Sequence, residues 1–151
     1  MTAKDAPLPP SKVLVVDDNA QNRELLEAYM EELENVRTES AVNGEEALAK
    51  VAAERPDLIL LDVMMPKLSG FEVCKRLKGD PKTKHIPIIM VTALHEMSDI
   101  ERGVEVGTDD FITKPVNRVD LLTRVRSLLR LRDVTNSADR GIDYLDDLED
   151  R

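Results

Sequence analysis

Three runs of four apolar residues constrain the fold of this chain more than any other feature of its sequence. They cover residues 13–16, 58–61 and 88–91, and each is apolar at successive positions. A strand with one solvated face alternates apolar and polar residues, whereas a parallel strand covered by helices on both faces does not. The three runs therefore predict the central strands of a helix-covered parallel sheet.

Helical and strand-like patterns alternate along the chain. Apolar spacing predicts strands over 13–16, 36–41, 58–62, 86–92 and 110–113, and helices over 21–33, 45–54, 71–78, 98–106 and 118–131. The second strand is the most polar, so we place it at an edge of the sheet. This pattern predicts an α/β fold of five strand–helix units in the doubly wound, flavodoxin-like order 2-1-3-4-5. Asn19 is predicted to cap the first helix.

The two ends of the chain differ from its middle. Residues 1–11 contain three prolines and few groups able to pack, which predicts a disordered lead-in before a single domain over 12–132. Segment 133–151 carries seven acidic residues against two arginines, and is predicted to be an acidic tail that is mobile or a short helix. Its apolar residues, which would form one face of such a helix, are Ile142, Tyr144, Leu145 and Leu148.

Charge and composition exclude several classes of function. The formal net charge of −9 disfavours binding to nucleic acid and to anionic membranes, because both carry negative charge. No apolar run approaches the roughly 20 residues of a membrane span, and residues 1–12 lack the apolar stretch of a secretory signal. We therefore expect a cytoplasmic protein with no membrane or nucleic-acid partner. Cys74 is the one cysteine, and we expect an ordinary thiol, buried or half-buried, in a helix.

Acidic, hydroxyl and amine side chains follow the predicted strands at their carboxyl ends. Asp17 and Asp18 follow the first strand, Asp62 ends the third, Thr92 ends the fourth and Lys114 follows the fifth. Ligands bind at this edge of an open parallel sheet, where the strand order reverses. Three carboxylates at one site raise one another's pKa unless a cation neutralises them, and oxygen ligands without Cys or His suit Mg²⁺. A magnesium site is therefore predicted there.

This group of side chains is suited to phosphoryl transfer, which needs positioning and charge stabilisation more than covalent help. A carboxylate can act as the nucleophile and form an aspartyl phosphate, and Asp62 is the candidate because it ends the most buried strand. Thr92 is placed to donate a hydrogen bond to a phosphoryl oxygen, and Lys114 to pair with another.

The spacing of these motifs resembles the response regulator receiver family over about residues 12–131. The matching stretches are Val-Val-Asp-Asp-Asn at 15–19, Leu-Leu-Asp-Val-Met-Met-Pro at 60–66 with Gly70, Val-Thr-Ala at 91–93 and Phe-Ile-Thr-Lys-Pro at 111–115. Residues 117–131 are most similar to receivers joined to diguanylate cyclases and to their stand-alone relatives.

The resemblance implies a role for each acid in the crevice. It implies that Asp62 is the phosphoacceptor. It also implies that Asp18 and Asp62 bind Mg²⁺ directly together with the carbonyl of Met64, and that Asp17 holds the metal largely through water.

The resemblance further implies a conformational switch. Thr92 and Lys114 would sense the phosphoryl group, and Phe111 occupies the position of the family's switch aromatic, three residues before the lysine. A cis Lys114–Pro115 bond is also implied. Phe111 can also be interpreted as a core-packing residue, and the two roles are compatible with each other.

The resemblance also implies partners. A response regulator in a two-component system or phosphorelay accepts its phosphoryl group from a histidine kinase or phosphotransfer protein, and it phosphorylates and dephosphorylates itself without being a turnover enzyme. Opposite charges on the fourth helix, fifth strand and fifth helix predict a homodimer enhanced by phosphorylation, and a solvated face is the alternative. The charged residues concerned are Asp99, Glu101, Glu105, Asp109, Asp110, Arg118, Arg124 and Arg126.

Three other functions are compatible with the same architecture. A flavin or dinucleotide protein needs a glycine- or hydroxyl-rich turn after the first strand, and 17–22 has none. A Mg²⁺-dependent phosphohydrolase would place a second acid two residues after Asp62, where this chain has Met64. A degenerate receiver acting only as a scaffold would lack some of the acidic, hydroxyl or amine residues expected in the crevice. All of these residues are present in this chain.

Overall fold

Five parallel strands alternate with five helices in the computed structural model, which describes residues 7–132. The elements are β1 (Ser11–Val16), α1 (Ala20–Glu31), β2 (Val36–Ala41), α2 (Gly44–Ala53), β3 (Leu58–Leu61), α3 (Gly70–Lys78), β4 (Ile88–Thr92), α4 (Met97–Glu105), β5 (Asp110–Thr113) and α5 (118–132). The strand order is β2-β1-β3-β4-β5, which confirms the predicted doubly wound topology. The predicted tail 133–151 lies outside the described residues, as do residues 1–6. Within the described part, no helix is both long and apolar enough to cross a membrane.

The three apolar runs are the central strands, as predicted. Every residue of β1, β3 and β4 is buried, whereas β2 at the edge is mostly half-buried. Helices α2 and α3 pack on one face of the sheet, and α1 and α5 pack on the other. Burying one aliphatic side chain contributes about 1.5–3 kcal/mol, so these two apolar layers supply the main driving force for the fold.

The folded part begins earlier than the sequence predicts, so 7–11 do not match the disordered lead-in. Leu8 is 6% exposed and packs in the apolar layer under α1 and α5. The backbone N–H of Ser11 donates to the carbonyl of Asn35 at 2.8 Å, and the Asn35 amide donates to the carbonyl of Leu8 at 2.9 Å. One apolar residue and two long-range hydrogen bonds fix this segment, and neither feature can be predicted from a proline-rich composition.

Helix starts lie at the carboxyl edge of the sheet and are set by side-chain caps. Asn19 accepts a hydrogen bond from the backbone N–H of Asn22 at 3.0 Å, which confirms the predicted cap of α1. Asn43 caps α2 and Ser69 caps α3 in the same way. Such caps satisfy backbone donors that a helix leaves unpaired, so they fix where each helix begins.

Cys74 is a structural thiol, as predicted. It is fully buried in α3, and its Sγ donates to the carbonyl of Val106 at 3.5 Å. Burial raises the pKa of the Cys74 thiol to about 11, so the thiolate is disfavoured at neutral pH.

Candidate functional site

Three aspartates meet at the carboxyl edge of the sheet. Val16 pairs with Leu61 in the β1–β3 register, so the next residues, Asp17 and Asp62, leave neighbouring strands side by side. Carboxylate oxygens of Asp17, Asp18 and Asp62 all lie within 4.8 Å of one another. Asp17 and Asp62 are only 1% and 6% exposed, whereas Asp18 is exposed at the mouth. The structure therefore brings together the three acids that the sequence predicts.

Asp17 is held by several donors. The backbone N–H of Asn19 donates to its Oδ1 at 2.9 Å, and Lys114 Nζ donates to its Oδ2 at 2.9 Å. The Arg23 guanidinium donates to the backbone carbonyl of Asp17 at 2.9 Å. Both oxygens of this buried carboxylate are thus engaged, and it has little freedom to move.

Lys114 reaches the crevice from the end of β5. Its backbone N–H donates to the carbonyl of Thr92 at 2.8 Å, and the Lys114–Pro115 bond is cis, as the resemblance implies. The lysine Nζ lies 2.9 Å from Asp17 and 3.9 Å from Asp62. The sequence places the lysine in the crevice but does not show that Asp17 is its nearer partner.

The negative charge of Asp62 is only partly compensated. Burial raises the pKa of Asp62, the negative charge of Asp17 raises it further, and the positive charge of Lys114 opposes both effects. The backbone N–H of Met64 donates to its Oδ1 at a long 3.4 Å. Three carboxylates and one lysine leave a local excess of negative charge. The atoms that the three acids offer to a metal are all carboxylate oxygens. These residues fit a divalent cation of the Mg²⁺ type.

A close backbone contact fixes the chain after Asp62. A Cβ atom on Gly70 would lie 2.2 Å from the carbonyl oxygen of Asp62, so only glycine permits this approach. The N–H of Gly70 donates to the carbonyl of Val63 at 2.9 Å. The start of α3 therefore rests directly on the loop that positions the acid.

Replacing Asp62 with asparagine is expected to raise the free energy of unfolding at pH 7, in magnesium-free buffer, by on the order of 1 kcal/mol. The raised pKa means that native Asp62 binds its proton more tightly than the unfolded chain does. The stability of the parent protein therefore falls as pH rises from the ordinary aspartate pKa, about 3.9, to the native pKa, and stays level above it.

Urea unfolding from pH 3 to pH 8 in excess chelator measures this effect. The gain in the free energy of unfolding of Asp62→Asn over the parent protein should be absent near pH 3 and complete at neutral pH. Glu31→Gln, at an exposed acid on the last turn of α1, is the control and should show neither. A gain for Asp62→Asn that is independent of pH would contradict the electrostatic explanation.

Thr92 and Phe111 lie on the same face of the sheet. Met90 pairs with Phe111 in the β4–β5 register, and Thr92 is two residues after Met90, so its side chain points to the same side. The Thr92 side chain is fully buried, and its Oγ1 accepts from the backbone N–H of Leu94 at 3.3 Å. Phe111 is half-buried against the apolar layer under α2 and α3. A movement of the Thr92 side chain can therefore affect Phe111, because the two side chains lie on one face of neighbouring strands.

Two charged groups predicted for a dimer surface already have partners within the chain. Arg118 forms a two-pronged ion pair with Glu32, the C-cap residue of α1, and Arg124 pairs with Asp110 and Asp120. Residues 32 and 118 are far apart in sequence, so helical spacing alone cannot reveal that contact. The predicted pairing of these arginines with acids of a second copy is therefore weakened.

Asp109 is engaged in the same way. Its carboxylate pairs with Lys78 Nζ at 2.8 Å and accepts from the backbone N–H of Ile88 at 2.8 Å. Its role is thus to join α3, β4 and the turn before β5. It is not a free charge for a partner.

Comparison with known proteins identifies the family. A family model described as the response regulator receiver domain matches residues 13–126. Response regulator PleD of Caulobacter vibrioides is 48% identical over 122 residues, which are 81% of this chain and 27% of PleD. The signal receiver domain of a signal transduction histidine kinase from Syntrophus aciditrophicus has a TM-score of 0.74 at 41% identity, over 79% of this chain and 89% of that one. Chemotaxis protein CheY4 of Vibrio cholerae has a TM-score of 0.74 at 32% identity, over 80% of this chain and 99% of that one.

These matches cover the whole crevice. The matched residues 13–126 include all three aspartates, Thr92 and Lys114. The chain spans about a quarter to a half of the length of the curated relatives that it matches. Strand order, crevice and family match agree, and the chain belongs to the response regulator receiver family of two-component signal transduction.

Proposed function

We propose that this chain accepts a phosphoryl group on Asp62 in a magnesium-dependent reaction and transmits the change to a protein-interaction surface. The observation that carries the proposal is the crevice itself. Three carboxylates lie within 4.8 Å of one another, and one of them, Asp62, has a raised pKa and lies 3.9 Å from the Lys114 ammonium. An acid with a perturbed pKa in a crevice beside a cation suits phosphoryl transfer.

Each residue has a proposed role in that transfer. An Asp62 oxygen forms a bond to phosphorus while the bond between phosphorus and the donor breaks, and the leaving group takes up a proton. Asp18, Asp62 and the Met64 carbonyl would hold Mg²⁺, with Asp17 acting largely through water. Bound there, Mg²⁺ would neutralise the acids and the oxygens of the incoming phosphoryl group.

The proposed donor is a histidine kinase or a phosphotransfer protein, as is general for receiver domains. Two rivals have less support. The position two residues after Asp62 holds Met64, whose exposed thioether cannot protonate a leaving group, so a phosphohydrolase is disfavoured. A degenerate scaffold is disfavoured because the acids and the lysine converge on one crevice and the threonine is present at the end of β4.

Treatment with acetyl phosphate, followed by intact mass spectrometry, tests the proposed function. We expect a gain of one phosphoryl mass in the presence of Mg²⁺, little gain in excess chelator, and none in Asp62→Asn. A gain that is equal with chelator, or that persists in Asp62→Asn, would overturn the proposal.

The proposed output surface consists of α4, β5 and α5, through which phosphorylation strengthens a homodimer. Because Arg118 and Arg124 form ion pairs within the chain, we expect apolar contacts, more than charge pairs, to hold the two copies of the homodimer together. Val104 on α4 and Val119 on α5 are 68% and 64% exposed and are available for contact with a second copy. Their burial against a second copy would drive association.

Sedimentation velocity with and without beryllium fluoride tests the dimer. We expect association to increase at least about tenfold on activation in the parent protein and to be lost in Val104→Asp, since a buried unpaired carboxylate is costly. Leu25→Asp, at a 46% exposed position on α1, is the matched control and should still dimerise. A parent protein that stays monomeric in every condition would rule out the dimer and leave a different partner on this face.

A further inference from the structure

A groove opens between α2 and α3 at the end of the sheet opposite the aspartate crevice. Its volume is about 620 Å³. Half-buried Leu48 and exposed Ala52 supply apolar surface within it, while Val51 and Leu77, 1% and 4% exposed, line it from the core. The charged lining residues are three cations and one acid, namely Arg55, Arg76, Lys82 and Asp80. A cationic, apolar groove is notable on a chain whose formal charge is −9.

The last described turn of α5 lies beside this groove. The Arg132 Nε is 3.4 Å from Asp57 Oδ1, and its Nη1 donates to the carbonyl of His85 at 3.5 Å. Those two residues belong to the same two loops as the groove residues Arg55 and Lys82, which are themselves joined by a 3.0 Å hydrogen bond from Arg55 to the Lys82 carbonyl. The last described residue, Arg132, thus contacts the same two loops that supply Arg55 and Lys82 to the groove.

The sequence of that segment complements the groove. It has seven acidic residues against two arginines, and its apolar residues Ile142, Leu145 and Leu148 are interleaved with the acids. The nine residues 133–141 reach up to about 30 Å when extended, which is ample for a groove next to their starting point. Exposed ion pairs contribute little singly, so the apolar residues would supply most of the affinity and the charges would favour this site over others.

We propose that the acidic segment 133–151 docks in the groove between α2 and α3 of its own chain. Its apolar side chains contact Leu48 and Ala52, and its carboxylates face Arg55 and Lys82. This inference does not depend on phosphorylation at Asp62, because the groove is at the other end of the sheet.

Paramagnetic relaxation in methyl NMR spectra tests this directly on the full chain. A nitroxide is attached to Asp147→Cys, and Cys74 is fully buried and does not compete for the label. We expect broadening of the Leu48, Val51 and Leu77 methyl signals at low protein concentration, and little effect on Val119. Absence of broadening at the groove would overturn the proposal. Broadening that grows with protein concentration would also overturn it, by assigning the groove to a second copy.

Charge reversal shows whether the cationic residues of the groove contribute to binding of segment 133–151. Arg55→Glu with Lys82→Glu is expected to reduce the broadening at least about fivefold. The matched control is Lys75→Glu with Lys84→Glu, which reverses two exposed charges that do not line the groove and should change the broadening less than about twofold. Unchanged signals from β3 and β4 methyl groups confirm folding of each variant. Equal losses from the two double reversals would contradict docking in this groove.

Discussion

Replacing Thr92 or Lys114 with alanine is expected to leave Asp62 able to take up a phosphoryl group but to remove the conformational response to it. A ligand shifts a two-state equilibrium only by its difference in affinity for the two states. In this structure Lys114 Nζ is 2.9 Å from Asp17 and 3.9 Å from Asp62, and the Thr92 hydroxyl is buried on the face that carries Phe111. A phosphoryl group on Asp62 would draw both side chains toward itself, and Phe111 would move with Thr92. Without either partner, most of the differential contact is lost.

The measurement is the change in the NMR spectrum on adding beryllium fluoride and Mg²⁺. We expect the shifts in α4 and β5 to fall below about a tenth of the parent value in Thr92→Ala and Lys114→Ala. Thr92→Ser keeps the hydroxyl and should retain most of the response. Mg²⁺ binding should remain close to that of the parent protein in Thr92→Ala. A complete spectral response in Thr92→Ala would remove Thr92 from the switch.

Asp18→Ala is expected to lower the affinity for Mg²⁺ about tenfold or more. Asp18 is the exposed member of the three acids, so it is the carboxylate most accessible to an incoming hydrated cation. Asp17 is already engaged by Lys114 and by the N–H of Asn19, and it cannot readily take over this role. Losing one of the two carboxylates proposed to bind Mg²⁺ directly removes a full negative charge from a site with few protein ligands.

Isothermal titration calorimetry of Mg²⁺ binding measures this effect. Glu31→Ala is the matched control, because it removes an exposed acid from the far end of α1, eleven residues or about 17 Å along the helix axis from Ala20. Its affinity should equal that of the parent protein, which separates ligation from a general loss of negative charge. An unchanged dissociation constant in Asp18→Ala would show that the cation is held elsewhere.

The sheet was predictable from the sequence because its signals are local. A fully buried strand is apolar at successive positions, so β1, β3 and β4 could be predicted from their sequences. The more polar segment 36–41 predicted the edge strand. Boundaries were less accurate. The fourth strand was predicted from residue 86 and begins at Ile88, because Pro87 has no N–H to donate to a ladder. Leu8 is ordered by contacts that are distant in sequence.

The convergence of the three acids was also predictable, because parallel strands end at a common edge. The electrostatic arrangement within the crevice was not. Whether Lys114 lies nearer Asp17 or Asp62 depends on ångström-scale packing, and so does the raised pKa of Asp62. The contacts of Arg118 with Glu32 and of Arg124 with Asp110 were likewise hidden, since they depend on how α5 packs beside α1 and β5.

The central claim is that Asp62, and neither of its neighbouring acids, takes the phosphoryl group. Reduction of the acyl phosphate with borohydride, followed by tandem mass spectrometry, marks the modified aspartate by its altered side chain. After treatment with acetyl phosphate and Mg²⁺, we predict that the mark appears at Asp62 and is absent from Asp17 and Asp18. A mark at Asp17 or Asp18, or none at any of the three, would contradict this account.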